Sequence, residues 1–516
     1  MVRTLTPLDF LARSAWAYRN RVAVVDENRR FTYAEFRDRA HRLASALRKL
    51  GVAPGDRVAV LAPNSVAAIE AAFGVPLLGG ILVALNIRLQ ASELAWILRH
   101  SGAKILLADP EFAGVLDPVR SELGELAIVE DYEGLVAQGA CPLADPPEPE
   151  ENGVISINYT SGTTGFPKGV MYTHRGAYLN ALGEALEHGL SARSVYLWTV
   201  PLFHCNGWCF AWAVTAVGGR HICLPKVIPE KVCELIEREG VTHLCGAPVV
   251  VASLTRHCQT EGIRFGGSLK IVTAGAPPSP AVIRAAAEIG ADVSHVYGLT
   301  ETYGPHTICA WHPEWDAQPA SKQAELKARQ GVAYAFAGMD VRVVDQHMND
   351  IPADGYTMGE VIMRGNNVMA GYYQDPEATA QAFDGGWFHS GDIAVMHPDG
   401  YLEVRDRKKD IVISGGENIS SIEVEKAIYE HPAVAEVAVI AVPDEQWGEV
   451  PQAHVDLKPG RQASAAELIE FCRQRLAHFK CPKHVVFGPL PKTATGKVRK
   501  SELRKIAWAG YEKRVN

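Results

Sequence analysis

Residues 159–169 read Tyr-Thr-Ser-Gly-Thr-Thr-Gly-Phe-Pro-Lys-Gly, a dense collection of groups suited to an anion. Gly162, Gly165 and Gly169 let the backbone turn and come close to a ligand, exposing N–H groups to negative charge. Thr160, Ser161, Thr163 and Thr164 add hydroxyl donors, and Lys168 adds a point charge on a flexible stem. That chemistry suits a polyphosphate. The spacing is not that of a Walker A loop, which needs Gly-x-x-x-x-Gly-Lys followed by Ser or Thr. The bland alternative is a glycine–serine turn, but such a turn has no need of four hydroxyls, three glycines and a lysine in eleven residues.

Further along stand Ala274-Gly275-Ala276-Pro277, Tyr297-Gly298-Leu299-Thr300-Glu301, Ser390-Gly391-Asp392, and Asp406-Arg407-Lys408-Lys409-Asp410. Pro491-Lys492-Thr493-Ala494-Thr495-Gly496-Lys497 follows near the C-terminus. With the loop at 159–169, these motifs resemble in order and spacing those of the adenylate-forming superfamily. That superfamily comprises acyl-CoA synthetases, the adenylation domains of peptide synthetases, and beetle luciferases. The resemblance runs through nearly the whole chain.

Its implied chemistry answers a simple problem. A carboxylate does not react with a thiol, because oxide would have to leave. Attack on the α-phosphorus of ATP expels pyrophosphate and gives an acyl-adenylate, from which the thiol of CoA displaces AMP. Such a site needs phosphate donors, a magnesium carboxylate, adenosine contacts and a cation at the reacting oxygens. By resemblance, Thr300 contacts the α-phosphate and Glu301 holds Mg2+, which prefers oxygen ligands. Tyr297 and Gly298 lie by the adenine, with Gly275, Ala276 and Pro277 lining the base. Asp392 accepts both ribose hydroxyls, and Arg407 reinforces that contact; a structural salt bridge is the competing role for both. Lys497 bridges carboxylate and α-phosphate. Lys409 is the pivot on which a small domain rotates so that the thiol can enter, and Gly415, Gly416 and Glu417 face the CoA tunnel.

The acyl group is read from Pro201-Leu202-Phe203-His204-Cys205-Asn206-Gly207-Trp208. His204 matches an aromatic position beside the substrate carboxylate, and Trp208 a tryptophan that closes the acyl tunnel; ordinary core positions are the alternative. Amino-acid adenylation domains carry an aspartate near this point, and none occurs between Val200 and Val217. An apolar pocket without a carboxylate leaves an ammonium unpaired. An uncharged chain or ring is therefore expected. Trp311 to Gly331 resembles a branch of bacterial and plant short- to medium-chain ligases that includes the methylmercaptopropionate-CoA ligases. The expected function is an AMP-forming acid–thiol ligase acting on short- to medium-chain acids. An aryl-CoA ligase, a non-catalytic acyl-binding protein on the same fold and a luciferase-like oxygenase are the competing readings. Retention of Lys168, Thr300, Glu301, Asp392, Arg407 and Lys497 speaks against the non-catalytic one.

The elements that must position these residues alternate. Thr32 and Glu35 form a capping box before Phe36, Ala40, Leu43, Leu47 and Leu50 recur at helical spacing. Arg57–Leu61 reads as a strand, Ser65–Leu78 as a helix, Ile81–Leu85 as a strand, Ser92–Arg99 as a helix and Lys104–Ala108 as a strand. This alternation predicts an α/β fold with a largely parallel sheet covered on both faces. Cys141 to Gly153, rich in Pro and Glu, is a connection into the phosphate loop. The resulting expectation is a large N-terminal domain of mostly parallel, layered sheets with helices over 1–406, and a small mobile α+β domain over 407–516.

Composition agrees. The chain has 516 residues, 47% apolar, with a net charge of −8, which favours neither nucleic acid nor an anionic membrane surface. Its ten cysteines include no Cys-x-x-Cys pair, so neither a zinc site nor a disulfide framework is expected. No stretch approaches 18 charge-free apolar residues, the N-terminus lacks the apolar core of a signal peptide, and Lys-Arg-Val-Asn at the end is not a peroxisomal address. The cytoplasm is the expected location and small molecules the expected partners, with a homodimer left open.

Overall fold

The computed structural model describes residues 3–160, 167–267, 269–334, 340–415, 417–444, 446–492 and 498–509. Ser161, Gly162, Thr163, Thr164, Gly416 and Lys497 lie outside these described residues.

The local signals produce the elements they imply. Thr32 and Glu35 cap the helix Tyr33–Lys49 reciprocally, and its buried face carries Phe36, Ala40, Leu43 and Leu47. Ser65 precedes the helix Val66–Leu77. The helix Ala91–Ser101 ends on Gly102 in the left-handed conformation.

Contacts divide the chain into two units. The first contains Met1–Val341 and Met363–Phe388. One of its sheets runs, in strand order, Gly371–Tyr372, Gly169–Thr173, Val154–Tyr159, Ile81–Ala84, Arg57–Leu61, Ala103–Ala108 and Ala127–Val129. The pairings from Val154–Tyr159 to Ala127–Val129 are parallel, whereas Gly169–Thr173 and Gly371–Tyr372 add antiparallel strands at the other edge. The second sheet has nine strands and five parallel pairings, the last joining Leu269–Thr273 to Ala291–Leu299. Gly304–Ile308 then returns antiparallel. The parallel strands read as continuous apolar runs because both faces are covered.

The second unit contains Arg342–Ile362 and His389–Asn516. It includes a four-stranded sheet in the order Asp340–Val344, Met358–Arg364, Phe388–Met396, Leu402–Arg407. A further sheet pairs Val434–Asp444 with Gly448–Leu457 antiparallel, and packs Val424, Ile428, Leu468 and Cys472 from helices Ser421–Tyr429 and Ala465–Arg473 against Val437 and Val455. The contact division places 342–362 and 389–406 with the C-terminal residues, and Phe388–Met396 pairs with Leu402–Arg407. Nine of the ten cysteines are buried and none is bridged. Among the described residues, no helix is long and apolar enough to cross a membrane, and no cluster of three or more His, Cys, Asp or Glu is placed to hold a metal ion.

Candidate active site

In the first unit the strand Val154–Tyr159 leads into the hydroxyl-rich loop, and Gly169–Thr173 leads out of it in antiparallel register, with Tyr159 opposite Gly169. The Thr160 N–H donates to the Lys168 carbonyl at 3.0 Å and closes the loop's neck. Lys168 Nζ lies 4.8 Å from the centre of the Tyr372 ring and 3.9 Å from Asp375 Oδ2. The Tyr372 hydroxyl donates to Glu301 Oε1 at 2.9 Å. Lys168, Tyr372 and Glu301 thus form a short row of cation, phenol and carboxylate. Tyr172 donates to the Thr300 carbonyl at 2.6 Å, and the Met369 N–H to the Glu301 carbonyl at 2.8 Å. The Thr300–Glu301 turn is therefore pinned by Tyr172 of the strand that leaves the loop and by Met369, just before the strand Gly371–Tyr372.

Gly275, Ala276 and Pro277 leave the strand Leu269–Thr273, and Tyr297 and Gly298 end its parallel neighbour Ala291–Leu299. Thr273 pairs with His295, so the two motifs emerge side by side at the carboxyl ends of adjacent strands, where open α/β sheets place their ligands. Gly275 has φ +90°, which favours glycine.

The segment with His204 and Trp208 is built by buried amides. Asn64 Nδ2 donates to the carbonyls of Trp198 (2.8 Å) and Val200 (3.1 Å), and its Oδ1 accepts from the Leu202 N–H at 2.8 Å. Asn158 Nδ2 donates to the Phe203 carbonyl at 2.7 Å. His204 follows, half-buried, and then Cys205, Asn206, Gly207, Trp208 and Cys209 all adopt φ between +45° and +63°. Gly304 faces this run: a Cβ there would stand 3.1 Å from Trp208 Cα. The Tyr303 ring stacks on Tyr172 at 3.7 Å, and its hydroxyl lies 3.2 Å from Asn206 Nδ2 and 3.3 Å from Trp212 Nε1. Trp208 is 6% exposed.

In the second unit, register brings Asp392 directly opposite Arg407. Arg407 Nε lies 2.8 Å from Asp392 Oδ1, and the Asp392 N–H donates to Ser390 Oγ at 3.0 Å. Lys409 sits in the turn after Leu402–Arg407, with its carbonyl accepting from Arg504 Nη1 at 3.4 Å. The carboxylate of Asp410 pairs with Arg504. Gly415 (φ +59°) donates its N–H to the Trp447 carbonyl at 2.8 Å, and Glu417 is exposed one strand residue beyond the turn.

The expected residues thus fall into two sets, one per unit: Thr160, Lys168, His204, Trp208, Gly275 to Pro277, Tyr297, Gly298, Thr300 and Glu301 in the first, and Asp392, Arg407, Lys409, Gly415 and Glu417 in the second. Sequence reasoning missed Asn64, Asn158 and Tyr372. No motif contains them; only the fold brings them to the site.

Residues 11–373 match the AMP-binding enzyme family, and residues 423–497 match the AMP-binding enzyme C-terminal domain. The chain belongs to the AMP-binding enzyme family. A 4-hydroxybutyrate–CoA ligase of Metallosphaera sedula is 46% identical over 99% of this chain and 96% of its own length. An acetate/butyrate–CoA ligase of Arabidopsis thaliana, named as peroxisomal, is 45% identical over 97% of this chain and 94% of its own. Among solved structures, the o-succinylbenzoate-CoA synthetase of Bacillus subtilis in complex with ATP and magnesium ion superposes with a TM-score of 0.85 at 29% identity, covering 96% of this chain and 99% of that one. An anthranilate-CoA ligase in complex with anthranoyl-AMP gives 0.87 at 26%, covering 98% of both chains. The family member described here is an acyl-CoA synthetase, an ATP-dependent ligase that works through an acyl-adenylate with ATP, Mg2+ and CoA. Magnesium prefers oxygen donors, and Glu301 presents a carboxylate oriented by the Tyr372 phenol.

Tyr372→Phe removes the phenol that orients Glu301 while keeping the ring under Lys168. On the expectation that Glu301 holds Mg2+, loss of one hydrogen bond, about 1 kcal/mol, should raise the Mg2+ concentration for half-maximal adenylation several-fold. A magnesium titration of pyrophosphate release reads it directly.

Proposed function

We propose that this ligase activates short-chain aliphatic acids, with the buried Trp208 limiting the chain. The left-handed run from Cys205 to Cys209 carries the reading, since it sets a large indole against Gly304 four residues after His204. The named substrates of the relatives, 4-hydroxybutyrate, acetate and butyrate, support the same size class.

In this reading the loop at 160–168 cradles the phosphates, and Glu301 holds Mg2+, which neutralises charge on them. Thr300 contacts the α-phosphate. Tyr297, Gly298 and Gly275 to Pro277 enclose the adenine, and Asp392, steadied by Arg407, takes the ribose hydroxyls. Lys497 spans the carboxylate and α-phosphate during adenylation. The domain that begins at residue 407 then pivots at Lys409, bringing Gly415, Gly416 and Glu417 towards CoA. The enzyme acts in the cytoplasm, alone or as a homodimer.

Pyrophosphate release over a panel of acids, with and without CoA, tests the proposal. Each buried methylene contributes about 0.8 kcal/mol, so kcat/KM should climb several-fold per carbon and then drop where Trp208 stops the chain. Trp208→Ala should move that drop to longer acids. If Trp208 is core alone, the variant loses about 3–5 kcal/mol of stability and the profile stays in place. A profile that peaks on benzoate- or cinnamate-like acids would replace this reading with an aryl-CoA ligase.

A further inference from the structure

The helix His174–Glu187 turns a polar stripe inward. Asn180 and Glu184 are fully buried, and His188, which caps the helix, is 3% exposed. Their spacing of four puts them on one face. Asn180 Nδ2 donates to the Tyr303 carbonyl at 3.0 Å and lies 3.3 Å from Cys209 Sγ. Glu184 Oε2 accepts from the Tyr334 hydroxyl at 3.0 Å and lies 3.1 Å from His188 Nε2. The His188 ring approaches Phe210 at 5.7 Å, and Phe210 stacks on Tyr196 at 4.9 Å. The stripe therefore faces Tyr303 and the segment that ends in Cys209 and Phe210, the same segment that holds Trp208.

Three polar atoms on this wall have no hydrogen-bond partner among the described residues: Asn180 Oδ1, Glu184 Oε1 and Asn206 Oδ1. Buried groups left this way are costly, and side chains of similar size without polar atoms would remove the cost. Burial also pushes the Glu184 carboxyl well above the usual carboxylate range and lowers His188 to about 4, disfavouring the charged form of each. With its charged form disfavoured, the Glu184 carboxyl can donate as well as accept, and Asn180 Oδ1 accepts. A hydroxyl is the group that can use both. An ammonium is poorly served where burial disfavours the carboxylate.

We propose that Asn180 and Glu184 recognise a hydroxyl at the distal end of the acid, so that this ligase prefers hydroxy acids over unsubstituted acids of equal length. This rests on the reading that the chain adenylates short-chain acids at the Trp208 wall, and it adds what the far end of the substrate carries. The absence of an aspartate between Val200 and Val217 remains true, but the buried carboxyl arrives from a helix outside that window.

The test compares kcat/KM for pyrophosphate release with four- and five-carbon acids bearing a terminal methyl, hydroxyl or ammonium. The terminal-hydroxyl acid should lead its methyl counterpart by about tenfold or more at one of these lengths. Glu184→Leu and Asn180→Leu should each shrink that ratio by about tenfold, while Glu184→Gln, which still donates and accepts, should keep most of it. Preference for the methyl acid at both lengths overturns the proposal, and this comparison uses the wild-type enzyme and so does not depend on any variant folding. Preference for the ammonium acid overturns it as well, by showing a charged Glu184. Folded Leu variants with an unchanged ratio do the same. If no acid at all releases pyrophosphate, the short-chain reading itself falls and takes this proposal with it.

Discussion

Lys497→Ala is expected to lower adenylate formation by about 10²- to 10³-fold, the usual loss when one preorganised electrostatic group is removed from a reacting oxygen. Thioester formation from supplied acyl-adenylate should be largely retained. The asymmetry comes from position along the chain. In the proposed mechanism Lys497 follows the pivot at Lys409 in the chain, so a rotation about Lys409 would carry it away from the phosphates when CoA enters. Stopped-flow measurement of the two half-reactions separates the cases; a parallel fall of both in a folded variant would rule out rotation. Lys409→Pro probes the same step from the turn after Leu402–Arg407. A proline fixes φ, so one orientation, and with it one half-reaction, should be lost.

Glu301→Gln should weaken the use of Mg2+ at least about 10- to 100-fold, with activity at saturating Mg2+ still far below wild type. The amide oxygen can accept from Tyr372 as the carboxylate does, and the Glu301 backbone keeps its bond to Met369, so the turn should stay in place. What disappears is the anionic charge. Isothermal titration of Mg2+ in the presence of a non-hydrolysable ATP analogue gives the affinity apart from turnover. An affinity equal to wild type would make Glu301 a structural residue that merely closes the Tyr372 bond.

Much of this architecture was legible in the chain. The capping box at Thr32, the apolar runs at Arg57–Leu61 and Lys104–Ala108, and the glycine punctuation around them are local signals, and local signals survive folding. The antiparallel additions were not legible. Gly371–Tyr372 is a two-residue strand whose pairing with Gly169–Thr173 depends on register alone, yet it brings Tyr372 beside Glu301, 71 residues away in sequence. Asp392 and Arg407 could be singled out by motif, but their pairing at 2.8 Å follows from a register with an irregularity after Ile393. The polar stripe of His174–Glu187 escaped for another reason. Its buried polar residues look, in sequence, like the solvated face of a surface helix, and only the surrounding strands and the 205–210 segment show that this face points inward.

On the proposed reading of Trp208, the left-handed run from Cys205 to Cys209 makes the size limit on the acid easy to revise during descent. A non-glycine residue in that conformation is held there at a cost of about 1–2 kcal/mol. Deleting a buried tryptophan elsewhere costs about 3–5 kcal/mol. At position 208 a glycine would give back part of that loss by relaxing the backbone. On that reading a single substitution there opens room for larger acids while staying above the threshold for folding, so substrate size can diverge faster than the sheets that frame the proposed nucleotide site.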